Sequence, residues 1–162
     1  MSYPILAPRD TWYKGETLKS TITQINILDS YTLTGNETES WIADTDNNGT
    51  INCYITDTVL TIAGNGSGMI AMNEDASYAF SSESTTDYFS NLIKITKTSL
   101  LNFNSTKHIN GLFFHCESLF DLDVSNWNLS ICENFGKVFE YCSSLVSIYG
   151  LDTWDTSNGQ NF

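Results

Sequence analysis

Positive charge is scarce in this chain. Its 162 residues include 7 Lys and Arg against 19 Asp and Glu, a formal net charge of −12. Gripping a phosphate backbone takes cations that release counterions, so nucleic acid is excluded as a partner. An anionic membrane surface is disfavoured for the same reason. Long apolar runs are missing too. None reaches the ~18 residues that span a bilayer, so no membrane span is expected. Histidine is limited to His108 and His115, too few for a histidine-rich metal site. The four cysteines, Cys53, Cys116, Cys132 and Cys142, make no CxxC pair and no zinc spacing. Only 16% of residues are charged, well below the usual quarter. Asn, Ser and Thr supply the polarity, which suits β structure. The opening Met-Ser-Tyr-Pro-Ile-Leu-Ala-Pro-Arg has neither the basic region nor the apolar stretch of a signal peptide.

The length fits one large domain or two small ones. It is enough to bury a core without metal or disulfide help. No Lys or Arg occurs between Lys19 and Lys94, a stretch holding the acids from Asp29 to Asp87. From Tyr88 to Cys116 the sign flips, with Lys94, Lys97 and Lys107 and no acid. The shift suggests a boundary near residue 88. Both prolines, Pro4 and Pro8, lie near the start and favour an extended arm over residues 1–20. In residues 21–28 alternation puts Thr23, Ile25 and Ile27 on one side of a strand and Gln24 and Asn26 on the other. Residues 41–72 read as a β-meander. Its turns are Asp46-Asn47-Asn48-Gly49 and Thr56-Asp57, and Gly64-Asn65-Gly66-Ser67-Gly68 closes the strand at 58–63. Residues 73–90 lack periodicity and read as a loop with one short helical turn.

The second half repeats. Phe113-x-x-Cys116-x-Ser118-Leu119-x-x-Leu122 recurs as Phe139-x-x-Cys142-x-Ser144-Leu145-x-x-Ile148, 26 residues on. Asn126-Trp127-Asn128-Leu129-Ser130 matches Thr153-Trp154-Asp155-Thr156-Ser157 after a one-residue insertion near Gly150, and Phe135 matches Phe162. Ser90–Ile95 matches Glu117–Leu122 more weakly, so about two and a half repeats are visible. A short strand plus an irregular return cannot bury its apolar face alone. Stacked copies bury a continuous ladder of Leu, Phe and Cys.

This core, followed by S-N-W-N-x-S, resembles the BspA-type leucine-rich repeat, in the variant common in mycoplasma, Firmicute and gut-bacterial surface proteins. Thr58–Gly66 is similar to a β-hairpin that often leads into such arrays. The resemblance covers roughly residues 50–162. It implies a short leucine-rich-repeat solenoid over 88–162; with the extended arm (1–20) and the β-rich N-terminal module (21–87) read from the residues, the expected fold is mainly β. The resemblance implies adhesion or protein binding, carries no catalytic motif, and uses Cys at the repeat position for packing. A compact N-terminal module ahead of a small solenoid is similar to phage and prophage virion proteins that present an adhesive domain.

Stacking places Cys116 and Cys142 about one strand spacing apart, ~4.8 Å, which permits a disulfide. Buried free thiols acting as small apolar fillers are the expected reading. Asp44-Thr45-Asp46-Asn47-Asn48-Gly49 begins like a calcium loop, but the twelfth position is Ile55 rather than an acid, so a turn is expected. Neither His is flanked by a nucleophile motif. Trp127 and Trp154 read as a packed ladder before sugar platforms. No catalytic residue, metal ligand or cofactor is assigned, and no enzyme is expected. The expected function is a surface-displayed binding protein on a virion, as a decoration, fibre or tail-associated component. The alternative is a fragment of a bacterial cell-surface adhesin. Tyr3, Pro4, Pro8, Trp12 and Tyr13 are the candidate interface by which the arm meets other virion or surface proteins. The repeats are left to meet a host-cell protein or glycan. The chain stops part-way through a repeat without a polar cap, so a longer array or a capping partner is expected. The open strand edge there makes self-association a further expectation.

Overall fold

A computed structural model describes residues 2–162. The chain is mainly β with little helix. Among the described residues nine strands are joined by turns and three single-turn 3-10 segments.

Five strands form the main sheet: β1 (Gln24–Leu28), β2 (Glu39–Ile42), β3 (Asn52–Thr56), β4 (Val59–Ala63) and β6 (Lys94–Thr96). Their order is β2-β3-β4-β1-β6. The turn at Asp57, left-handed at φ 54°, folds β3 back on β4 as an antiparallel pair. β1 lies parallel to both β4 and β6, with Ile25 opposite Leu60 and Ile95. β1 therefore ties the early residues to those beyond residue 88. Ile25 and Ile27 are buried, while Gln24 and Asn26 lie on the other face, as alternation requires.

Beyond this sheet the chain climbs in parallel rungs. Single-residue bridges join Asp75 to His108, His108 to Asn134, and Asn134 to Asn161. Backbone bonds repeat at each level: Phe80 N–H to Leu112 O, then Phe113 N–H to Val138 O, both 2.9 Å. Residues 73–82, expected as a loop, therefore form the first rung. A second wall is built by β5 (Ile70–Ala71) and β7 (Leu101–Asn102), which pair in parallel. A third has β8 (Asp121–Asp123) parallel to β9 (Ser147–Tyr149). β8 follows β6, joined to it by Phe120 N–H to Ile93 O at 3.1 Å.

Asx turns recur at matching levels. The side-chain oxygens of Asn102, Asn128 and Asp155 accept the backbone N–H two residues on, at Asn104, Ser130 and Ser157. Gly150, at φ 80°, is the inserted residue between β9 and the next level. A Cβ there would lie 2.3 Å from the Ser125 Cα, so only glycine lets the two levels approach.

Inside the rungs, aromatic rings stack in columns. Phe80, Phe113 and Phe139 lie 5.4 and 5.8 Å apart with planes within 6°. Trp127 stacks on Trp154, and Phe135 on Phe162. One core cluster runs from Leu6 to Val138 without a break at residue 88.

Candidate functional site

Alternation in the strands leaves one face of the main sheet outside the core. Its rows are Val59 and Thr61 on β4, Gln24 and Asn26 on β1, and Lys94 and Thr96 on β6. Asp121 and Asp123 on β8 and Tyr149 on β9 are exposed in the strand pair that follows. The rows are tied by side chains. Asn26 Oδ1 accepts from Gln24 Nε2 at 2.6 Å and from Thr96 Oγ1 at 2.9 Å. That fixes amide and hydroxyl groups in place while leaving other donors and acceptors to solvent.

The face has a hollow at each end. One lies beside the tilted Tyr31 and Tyr54 rings, 4.8 Å apart, and is bordered by Asn26, Asn36, Thr56 and Thr61. The loop above it is held by Glu37. Its carboxylate accepts the N–H groups of Thr34 (2.8 Å) and Gly35 (2.9 Å) and the Tyr31 hydroxyl (2.7 Å). The Thr34 amide, then the Tyr31 hydroxyl, hold the Glu37 carboxyl down at about 2. The other hollow is bordered by Lys97, Ser99, Asp121, Asp123 and Tyr149. Both are shallow and mix amides, hydroxyls and a few charges with apolar side chains, Leu28 and Val59 in the first and Ile95 and Leu122 in the second. Such surfaces bind by hydrogen bonding and ring contact rather than by enclosure.

The candidate arm is laid into the fold instead of projecting. Pro4 is buried, and its carbonyl accepts Ala71 N–H at 2.8 Å. Tyr3 and Pro8 are half-buried. Trp12 is fully buried, its indole N–H on Ala79 O at 2.8 Å. Tyr13 is half-buried, edge-on to Trp12, Trp41 and Phe89. An indole that finds an acceptor gains far more from burial than from solvent. The first rung carries alanines, Ala76 and Ala79, where later rungs carry larger residues, and there Trp12 packs. Trp12 is thus core. Of the five, Tyr3, Pro8 and Tyr13 keep some surface.

Both Asp44 oxygens are used within its own loop, on the N–H groups of Asn48, Gly49 and Ile51. His115 stacks between Tyr88 and Tyr141 at 4.4 and 4.2 Å, with Nδ1 2.9 Å from Glu117 Oε1. Trp127 is buried and its indole donates to Thr98 O at 3.2 Å. Among the described residues no three His, Cys, Asp or Glu side chains gather as metal ligands, and no helix is long and apolar enough to cross a membrane.

All four cysteines are free. The Cys116 and Cys142 thiols each donate to a Phe carbonyl of the preceding rung, at Phe80 and Phe113, both 3.1 Å. Burial drives the Cys53 and Cys116 thiols well above the ordinary range and lifts Cys142 to about 11. A thiol-reactive disulfide reagent at pH 8 should therefore leave Cys53 and Cys116 unmodified in the native protein and reach all four in denaturant. Prompt native labelling of Cys116, seen by peptide mass, would contradict this burial.

No protein-family model, curated protein or solved structure matches the chain.

Proposed function

We propose that the chain is a non-enzymatic, surface-displayed binding protein whose rungs are the coils of a short BspA-type leucine-rich-repeat solenoid. The observation that carries this reading is the open sheet face, with its fixed amides and hydroxyls and its shallow hollows. The parallel rungs, with Phe and Cys recurring at the same inward positions, support the repeat assignment. Partners suited to the face are a host-cell glycan or protein. The leading setting is a phage virion, where the protein acts as a decoration, fibre or tail-associated component. The bacterial cell surface is the second setting, favoured by the resemblance of the repeats to bacterial surface proteins.

The test is binding of the labelled chain to Gram-positive cells and to a glycan array, beside Gln24→Arg/Asp121→Arg. Saturable binding is expected, weakened at least tenfold in the variant with an unchanged melting temperature. Absence of binding to both, or equal binding by the variant, overturns the reading. Immunogold labelling of virions and of cells decides between the two settings.

A further inference from the structure

One charge pair is unlike the others. In Arg9–Asp75, Lys107–Glu74 and Lys137–Glu140 every side chain is more than 30% exposed. Lys19 is different: its side chain is 8% exposed and that of its partner Asp10 16%. Lys19 Nζ lies 3.3 Å from Asp10 Oδ2, longer than the ~2.7–2.9 Å of a strong charge-assisted bond. The amine sits over the Tyr13 and Phe89 rings, 5.5 and 5.8 Å from their centroids, and donates to Ser81 O at 2.8 Å. Burial pulls the Lys19 ammonium below its ordinary range, against the pull of Asp10 and Asp87. A desolvated lysine amine is a nucleophile. Asp10 Oδ2 in turn receives Ser82 Oγ at 3.4 Å and Glu83 N–H at 3.3 Å, two donors that would steady charge gathering on a carboxyl oxygen under attack.

We propose that Lys19 and Asp10 join in an intramolecular amide. The reaction balances without any co-reactant. A proton passes from the Lys19 ammonium to the Asp10 carboxylate, leaving a neutral amine and a carboxylic acid. Nζ then attacks Cγ, the C–N bond forms and one C–O bond breaks. The departing hydroxyl leaves with a second amine proton as water. The amine already rests 3.3 Å from the carboxylate it would join, at a hollow lined also by Ser82, Thr85 and Asp87, so the groups pay no encounter cost. The product is neutral and removes two buried charges, which the low-dielectric site otherwise strains to hold. It closes a ring over residues 10–19 and so clamps Trp12 and Tyr13 against the first rung. The proposal is independent of what the sheet face binds.

Intact mass of the purified full chain tests it. The expected result is a mass about 18 Da below that of the sequence, with trypsin failing to cut after Lys19 in the denatured protein and a branched peptide linking residues 10 and 19. In Lys19→Arg, which keeps the charge but cannot form the amide, the deficit should vanish. A wild-type chain at full sequence mass overturns the proposal, as does a deficit that persists in Lys19→Arg. The wild-type mass and branched peptide decide even if that variant fails to fold.

Discussion

Phe113→Ala should cost the protein about 3–5 kcal/mol, the range for emptying a fully buried aromatic site. The ring has no exposure and touches three neighbours in the stack. Phe80 lies 5.4 Å away at 6°, Phe139 5.8 Å at 1°, and Trp127 6.2 Å at 17°. None of these rings can collapse into the hole without leaving its own rung, because each rung is pinned by backbone bonds to the next. For a chain of this size the loss amounts to a fall of about 10 °C in melting temperature. Urea unfolding followed by Trp fluorescence and by far-UV circular dichroism should also show one coincident transition. The core cluster and the β1–β6 pairing both bridge residue 88, so neither half has a core of its own to melt separately. A cost below 1 kcal/mol, or two separated transitions, would mean that the rungs and the main sheet are energetically independent.

Much of this fold was legible in local signals. Alternation gives β1, turn residues give the β3–β4 hairpin, and the 26-residue spacing of Phe and Cys gives the later rungs. The misses have one physical cause: the decisive contacts are distant in sequence. The first rung, at 75–80, is hidden because its inward residues are Ala76 and Ala79, too small to register as apolar periodicity. It also lies 33 residues from the next through the exposed insertion around Glu83–Thr86. Its identity survives only in the offset from Asp75 to Phe80, shared by His108–Phe113 and Asn134–Phe139. The left-handed residue two before each stacked Phe was equally hidden. Tyr78, Gly111 and Lys137 all adopt φ near 60°, yet only one is glycine. Trp12 illustrates the same limit for the candidate site. Proline and aromatic content point to an arm, but the acceptor that draws the indole inward is 67 residues away. The open sheet face, too, exists only once β1 lies between β4 and β6, a parallel arrangement that no local pattern encodes.

Asp44 offers a second large effect, and one that pH should control. The residue is 3% exposed. Its carboxylate accepts three backbone N–H groups, from Asn48 at 2.8 Å, Gly49 at 3.0 Å and Ile51 at 3.1 Å. These hold the 44–51 loop against the edge of the main sheet, where Ala43 N–H meets Ile51 O. Asp44→Ala strands those donors, and at ~1–3 kcal/mol for each buried group left unpaired the total loss should be about 3–5 kcal/mol, since part of the loop rehydrates. Burial pushes the Asp44 carboxyl up, but the amides of Ile51, Asn48 and Gly49 together outweigh it and hold the group below its ordinary range. A carboxyl whose folded pKa is depressed stabilises the fold fully above its unfolded pKa, about 3.9. That contribution is lost as pH falls through the folded value. Asp44→Asn keeps the size and removes the titration, so the stability gap between wild type and variant should be widest at pH 6–7 and shrink towards pH 2. Glu37, also held low, titrates in both proteins and drops out of the difference. Denaturant unfolding of both at pH 7, 4 and 2.5 reads that gap directly. A gap that stays constant across the series would mean that the three amides do not favour the charged form, and that the loop is held by its backbone alone.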